Sequence, residues 1–455
     1  MKKYRFLSLL LAGFMVLSLT VPAHALEDPQ PRAAAVIIVD GDNQEVLYDF
    51  HAHERRYPAS ITKIMTSLVV LDAVDQGTIS LDTVVTASAQ SVDLPWDSST
   101  AGIKAGEQLT ILDLLYCDLL PSGNEACNIL SEAVAGTSAQ FVALMNAKAR
   151  ELGMNDTQFM NPHGLHDPEH YTTAYDIYLM ARAAMENETF RTIVRSPSHN
   201  LPATNLQPER TIYSSNGLLS SFYSIGYTYG KAIGIKTGYT GEAGRCLASA
   251  AVDELGRTFY CVVLGTEDTM EENGRHYWSF SETKRLLEWA FDNFHRTVLL
   301  NQDTENVLRE VAVTLSDEAD HVLAQPVGEI QATMPSDFDP KRVELDVDLP
   351  KSIEAPVAAG DKLGTITLSY DGAVYGTLDM VAADSVSRSD FLYTLQQIRF
   401  YWDQWWVKTL VAAGAVLVLT LVVLVTVVLP RRKARRRYSR AGGGRRTGSN
   451  YRGRR

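Results

Sequence analysis

Ser60 and Lys63 stand three residues apart in "YPASITKIMTSLVV", where the apolar residues Ile61, Ile64, Met65, Leu68 and Val69 recur at helical spacing and predict a buried helix from near Ser60. Residues at i and i+3 share a helix face, so a hydroxyl and an amine can meet at the mouth of this helix. The amine is an odd occupant. A helix N-terminus carries partial positive charge, and the usual capping box puts Glu or Gln where Lys63 stands. A deprotonated lysine amine beside a serine hydroxyl can take its proton and leave an oxygen nucleophile. Alone, Ser-x-x-Lys is a weak signal, because a helix start with a snorkelling lysine gives the same pattern. Two further polar groups make it specific. "LLPSGNEACNIL" sets Ser122-Gly123-Asn124 between two apolar helical runs, and "IGIKTGYTGEAG" sets Lys236-Thr237-Gly238 at the end of a short strand with glycine on both sides.

The elements that must position these residues can be read around them. "AAAVIIVD" and "EVLYDF" predict an opening hairpin; "RCLASAAV" and "RTFYCVVLG", separated by "DELG", predict a late one. Between and after them, helical patterns cover 60–75, 110–134, 138–152, 174–186 and 281–295. Strands at both ends of the region with helices between and after imply an α/β sheet domain with antiparallel pairing. From 299 to 384 the texture becomes alternating: Val343, Leu345, Val347 and Leu349 share a face, and Asp371-Gly372 makes a hairpin turn inside "GTITLSYDGAVYGTLDMVA". That span reads as a small all-β domain.

The chain has 455 residues, 45% of them hydrophobic, and a formal net charge of -12. Its basic residues crowd the ends. Residues 431–455 hold twelve Lys/Arg and no acid, so the body is more acidic than the total suggests, which argues against nucleic acid as a partner. At the start, Lys2, Lys3 and Arg5 precede "FLSLLLAGFMVLSLTV" and Ala23-His24-Ala25, a signal-peptide pattern over 1–25 with mature chain from Leu26. Residues 409–429 are 21 uncharged residues, about 31 Å of helix and enough to cross a bilayer. The basic run after them marks the cytoplasmic side. Phe391, Leu395, Ile398, Trp402 and Trp405, with Tyr401 and Trp406, predict an aromatic-rich amphipathic helix over 385–408 that lies against the outer membrane surface. Four cysteines in an exported chain permit disulfides; Cys246 and Cys261 could bridge strands, and free buried thiols fit equally well.

Together "YPASITKIMTS", "LLPSGNEAC", "NPHGLHDPEHYTTAYD" and "GIKTGYTGEAG" resemble the active-site set of penicillin-binding proteins and serine β-lactamases, specifically the low-molecular-weight D-alanyl-D-alanine carboxypeptidases. The likeness runs from about 32 to 384. It implies an α/β (α+β) β-lactamase/transpeptidase-like catalytic domain over 26–298, a small all-β domain over 299–384, then the juxtamembrane helix, a transmembrane helix at 409–429 and a basic cytoplasmic tail at 430–455. It also implies roles: Ser60 as nucleophile, Lys63 as general base, Ser122 as proton relay, Asn124 holding Lys63 and the substrate amide. Lys236, Thr237 and Gly238 would bind the terminal carboxylate, and the backbone N–H groups of Ser60 and Tyr239 would hold the oxyanion. Some relatives carry histidine where Tyr239 stands, so only a backbone role transfers. The implied partner is a peptidoglycan stem peptide ending in D-Ala-D-Ala, with β-lactams as inhibitors and no cofactor or metal.

Competing chemistries remain to be weighed. His163, His166 and His170, with Asp167 and Glu169, suggest a zinc peptidase, but "HGLHDPEH" lacks a strong metal spacing and contains Pro168; for His163-Gly164 a structural role is expected. A β-lactamase needs an acid to activate the deacylating water, and none is identifiable. A non-catalytic wall-binding protein has no need of the intact polar triads.

Overall fold

The computed structural model describes residues 26–271 and 274–431, and the expected signal peptide and residues 432–455 of the tail lie outside them. The described chain divides into two units: one runs to Thr297 and includes Gln331–Pro340, the other comprises Val298–Ile330 and the chain from Lys341.

The first unit is built on a five-stranded antiparallel sheet. Its strands are β1 (Ala35–Asp40), β2 (Val46–Phe50), β3 (Ala232–Thr240), β4 (Gly244–Val252) and β5 (Thr258–Thr266), in the spatial order β2-β1-β5-β4-β3. Every residue of β1 is buried, so its sequence shows no alternation. The alternation exists in space: Ala35, Ile37 and Val39 join one core, Val36 and Ile38 the other. Helices cover both faces.

The larger core holds α1 (Lys63–Asp75), α2 (Ile111–Leu119), α3 (Asn124–Ala135), α4 (Ser138–Glu151), α5 (Ala174–Glu186) and α6 (Glu188–Arg195); α7 (Trp278–Asn293) packs on the opposite face through Leu286, Leu287 and Phe291. Ten of the 13 residues of α1 are buried, which makes it the central helix and puts its first turn deep in the molecule. The helical pattern expected over 110–134 is split, because Pro121 cannot continue α2 and Ser122 takes a left-handed φ of 67°. That break aims the Ser-Gly-Asn group away from the helix axes.

Cys246 and Cys261 fall in different cores on opposite faces of the sheet, so the possible bridge between them is excluded; all four cysteines are buried free thiols.

The second unit contains β6 (Arg309–Thr314), β7 (His321–Val327), β8 (Val343–Asp348), β9 (Ser352–Glu354), β10 (Lys362–Tyr370) and β11 (Ala373–Ala382), ordered β8-β10-β11-β7-β6-β9. Asp371 and Gly372 both adopt positive φ, 51° and 82°, as the hairpin between β10 and β11 requires. In the same unit α8 (Asp390–Asp403) has no buried residue, and Phe391 and Ile398 are exposed on it. A helix from Trp405 to Arg431 is long and apolar enough to cross a membrane.

Candidate active site

Ser60 does not begin the α-helix. Ala59–Thr62 form a 3₁₀ turn and Lys63 is the first residue of α1. In a 3₁₀ turn side chains at i and i+3 eclipse one another, a closer superposition than the α-helical face gives. Lys63 Nζ accordingly lies 2.9 Å from Ser60 Oγ. The same amine donates to Asn124 Oδ1 at 2.7 Å and to the backbone carbonyl of His163 at 2.8 Å. Lys63 is fully buried.

Two glycines fix this turn from either side. A Cβ on Gly164, whose φ is 83°, would sit 1.9 Å from the Ala59 carbonyl oxygen. A Cβ on Gly238 would sit 3.0 Å from the Pro58 carbonyl oxygen and 3.1 Å from the Ser60 nitrogen. The backbone can approach the nucleophile this closely only without side chains.

In the break between α2 and α3, Ser122 Oγ is buried without a hydrogen-bond partner, an arrangement that costs about 1–3 kcal/mol. Asn124 opens α3, and next to it Glu125 Oε1 accepts from Thr100 Oγ1 at 2.6 Å and from the Ala101 N–H at 2.7 Å.

The third group lies on β3, the edge strand, whose Gly238 abuts the Ser60 turn. Lys236 is 1% exposed and donates to the Thr237 carbonyl at 3.0 Å. Burial, with the positive charge of Lys63 next, pushes its amine down to about 7, although Asp118 works in the other direction. The Thr237 hydroxyl pairs with Ser215 Oγ at 2.8 Å. The Tyr239 side chain points outward beneath the Arg245 guanidinium, 4.2 Å from its ring centre, and Arg245 pairs with Asp268 at 3.0 Å.

Ser60, Ser122, Asn124, Thr237, Gly238 and Tyr239 line one cleft of about 380 Å³, and Lys63 and Lys236 are buried in its wall. Ser215 and Arg245 line it too. Neither is visible as a motif, because Ser215 is recruited from a loop by its contact with Thr237 and Arg245 from the neighbouring strand β4 opposite Tyr239.

The histidine-rich stretch is dispersed. His163 Nδ1 faces the Leu165 N–H, His170 Nε2 lies 3.0 Å from Thr62 Oγ1, and His166 packs edge-on against Tyr57. Among the described residues no three His, Cys, Asp or Glu side chains gather in a metal-holding group. Burial, reinforced by Lys63, lowers His163 to about 3, and burial lowers His170 to about 4, so both rings stay neutral near pH 7. What the stretch brings to the cleft is backbone: the His163 carbonyl under Lys63, and Gly164 against the turn.

Residues 22–268 match a family model described as D-alanyl-D-alanine carboxypeptidase, and residues 306–388 match one described as the C-terminal domain of penicillin-binding protein 5. D-alanyl-D-alanine carboxypeptidase DacF of Bacillus subtilis is 28% identical over 404 residues, 88% of this chain and 98% of that one. DacD of Salmonella typhimurium, described with the same activity, is 30% identical over 377 residues, 79% of this chain and 88% of its own. The crystal structure of penicillin binding protein 5 from Haemophilus influenzae superposes with a TM-score of 0.59 at 27% identity, covering 80% of this chain and all of that one.

Proposed function

Since the chain belongs to the D-alanyl-D-alanine carboxypeptidase family and is a serine-type peptide hydrolase, we propose that Ser60 is its nucleophile and Lys63 the base that activates it. The observation that carries this reading is the set of partners around Lys63 Nζ. A neutral amine has two hydrogens and one lone pair. The Asn124 Oδ1 and His163 carbonyl oxygens can only accept, so they take both hydrogens and turn the lone pair toward Ser60 Oγ at 2.9 Å.

The reaction follows from these positions. Ser60 Oγ attacks the carbonyl carbon of the penultimate D-alanine while its proton passes to Lys63 Nζ. Negative charge develops on the carbonyl oxygen, between the backbone N–H groups of Ser60 and Tyr239, each such donor contributing about 3–4 kcal/mol in comparable sites. Ser122 Oγ, without a partner in the free protein, hands its proton to the departing amine of the terminal D-alanine as the C–N bond breaks and takes a replacement from the Lys63 ammonium, which returns that lysine to its neutral form. That residue's carboxylate pairs with Lys236 and with the hydroxyl of Thr237, which Ser215 orients. Water then attacks the acyl-serine ester while Lys63 takes its proton, and Lys63 returns that proton to Ser60 Oγ as the ester bond breaks, freeing the shortened peptide and the starting enzyme. A β-lactam enters as a mimic of the dipeptide and stops at the ester.

We also read the chain as exported and held at the cytoplasmic membrane by Trp405–Arg431, with both folded units outside and the basic tail inside, from the leader pattern over 1–25 and the charge after residue 430.

The test is covalent labelling of the detergent-solubilised full chain with a fluorescent penicillin, alongside mass analysis of a stem pentapeptide. Labelling at Ser60 and loss of one alanine are expected. Labelling that survives in Ser60→Ala would overturn the assignment.

A further inference from the structure

Behind the nucleophile lies a buried carboxylate that the reaction itself does not use. Asp118, on α2, is fully buried. Its Oδ2 accepts from Ser67 Oγ at 2.8 Å and its Oδ1 from Cys127 Sγ at 2.9 Å. The two donors are not random neighbours. Ser67 stands four residues after Lys63 on α1, one turn below it on the same face, and Cys127 stands three residues after Asn124 on α3. Asp118 therefore ties together the two helices whose first turns carry Lys63 and its acceptor Asn124.

An isolated carboxylate is costly to bury, so the site must supply counter-charge. The ionisable groups that face Asp118 are Lys63 from α1, Cys127 from α3 and Lys236 from β3. On α6, which also packs against α2, Phe190, Ile193 and Val194 turn inward while Glu188 and Arg195 are exposed and Arg191 is held by backbone carbonyls. Burial raises the Asp118 carboxyl above the ordinary carboxylate range; Lys63 opposes this most, then the hydrogen bonds from Cys127 and Ser67, then Lys236. Cys127 remains a thiol donor, because burial and Asp118 push it well above the usual thiol range.

We propose that Asp118 is a positioning residue for this active site: its carboxylate clamps α1 to α3 beneath the Lys63–Asn124 contact and supplies the negative charge that the two buried lysines share. The inference rests on the assignment of Lys63 and Lys236 made above. Its consequence differs from that of a purely structural hydrogen bond. Without the negative charge the ammonium form of Lys236 becomes less favourable, so Lys236 loses its charge at lower pH and the alkaline limb of the pH–rate profile moves to lower pH.

The measurement is the second-order rate constant for acylation of the full chain by a fluorescent penicillin, across pH, in the unmodified protein and in Asp118→Asn. Asparagine keeps the shape and one oxygen acceptor but not the charge. The expected result is displacement of the alkaline limb to lower pH by roughly half a pH unit or more, the direction required when an opposite charge is removed. A profile that keeps its position, whatever its height or the thermal midpoint, would overturn the proposal. Should Asp118→Asn fail to fold, Ser67→Ala and Cys127→Ala each remove one donor and raise the carboxyl further. A smaller shift in the same direction, reversed by Cys127→Ser, is expected, and no shift in either variant counts against Asp118. Absence of labelling in the unmodified chain would instead count against the site assignment, and this inference with it.

Discussion

At the scale of single residues, the cleft holds groups whose discomfort in the free protein is their use. Ser122 Oγ is buried and makes no hydrogen bond, and its residue is held at a positive φ. Removing an unsatisfied hydroxyl is neutral or favourable for stability, whereas removing a proton relay costs about 10²–10⁴ in rate. Ser122→Ala is therefore expected to keep or raise the thermal midpoint while kcat for release of D-alanine falls by about that factor; a large fall in the midpoint would mean that Ser122 holds the fold. Lys236 makes a second prediction. Its amine titrates near 7 because burial and Lys63 disfavour the charge. A substrate carboxylate needs the ammonium form. Below about pH 7 that form is already present and KM should be flat; above it each binding event must take up a proton, and KM should rise up to about tenfold per pH unit. Initial rates of D-alanine release across pH check this, and a KM that stays level through pH 9 would count against the role given to Lys236.

At the scale of elements, the nucleophile is placed by three segments that converge on one 3₁₀ turn: α1 continuing it, β3 passing beside it at Gly238, and the His163–Leu165 loop closing over its other side. Gly164 is the tightest of these contacts. An added methyl would fall 1.9 Å from the Ala59 carbonyl oxygen, far inside van der Waals contact, on a backbone whose left-handed φ alone costs a non-glycine residue about 1–2 kcal/mol. Gly164→Ala is expected to lower the unfolding free energy obtained from urea denaturation by at least that much. Penicillin acylation should fall with it, since the His163 carbonyl that steers Lys63 moves with the same loop. A variant with unchanged denaturation and acylation would show that the turn has more room than its packing indicates.

At the scale of the whole molecule, Trp405–Arg431 is the one described helix apolar enough to cross a membrane. Ending the chain after Gln404 is expected to move the protein from the membrane fraction to the soluble fraction while penicillin labelling of Ser60 persists; a truncated chain that stays with the membrane would assign anchoring to the exposed apolar face of α8. The amino-acid sequence by itself determined the three polar groups, the two kinds of texture along the chain and the apolar run near its end. Those depend on spacing over a few residues, and local periodicity, glycine and proline express them directly. It set Ser122-Gly123-Asn124 between two apolar helical runs, yet its helical pattern ran through 110–134, and the break itself comes from Pro121, which cannot continue α2, and the left-handed φ of Ser122. The tertiary structure decided the remainder. It put the His163 carbonyl under Lys63, paired Ser215 with Thr237, sent Cys246 and Cys261 to opposite faces of the sheet, and set Asp118 between Ser67 and Cys127. Several of these contacts join segments many tens of residues apart, and all depend on which faces of the elements meet. The titration of Lys236 likewise depends on how deeply the fold buries it beside another lysine, which its neighbours in sequence do not encode.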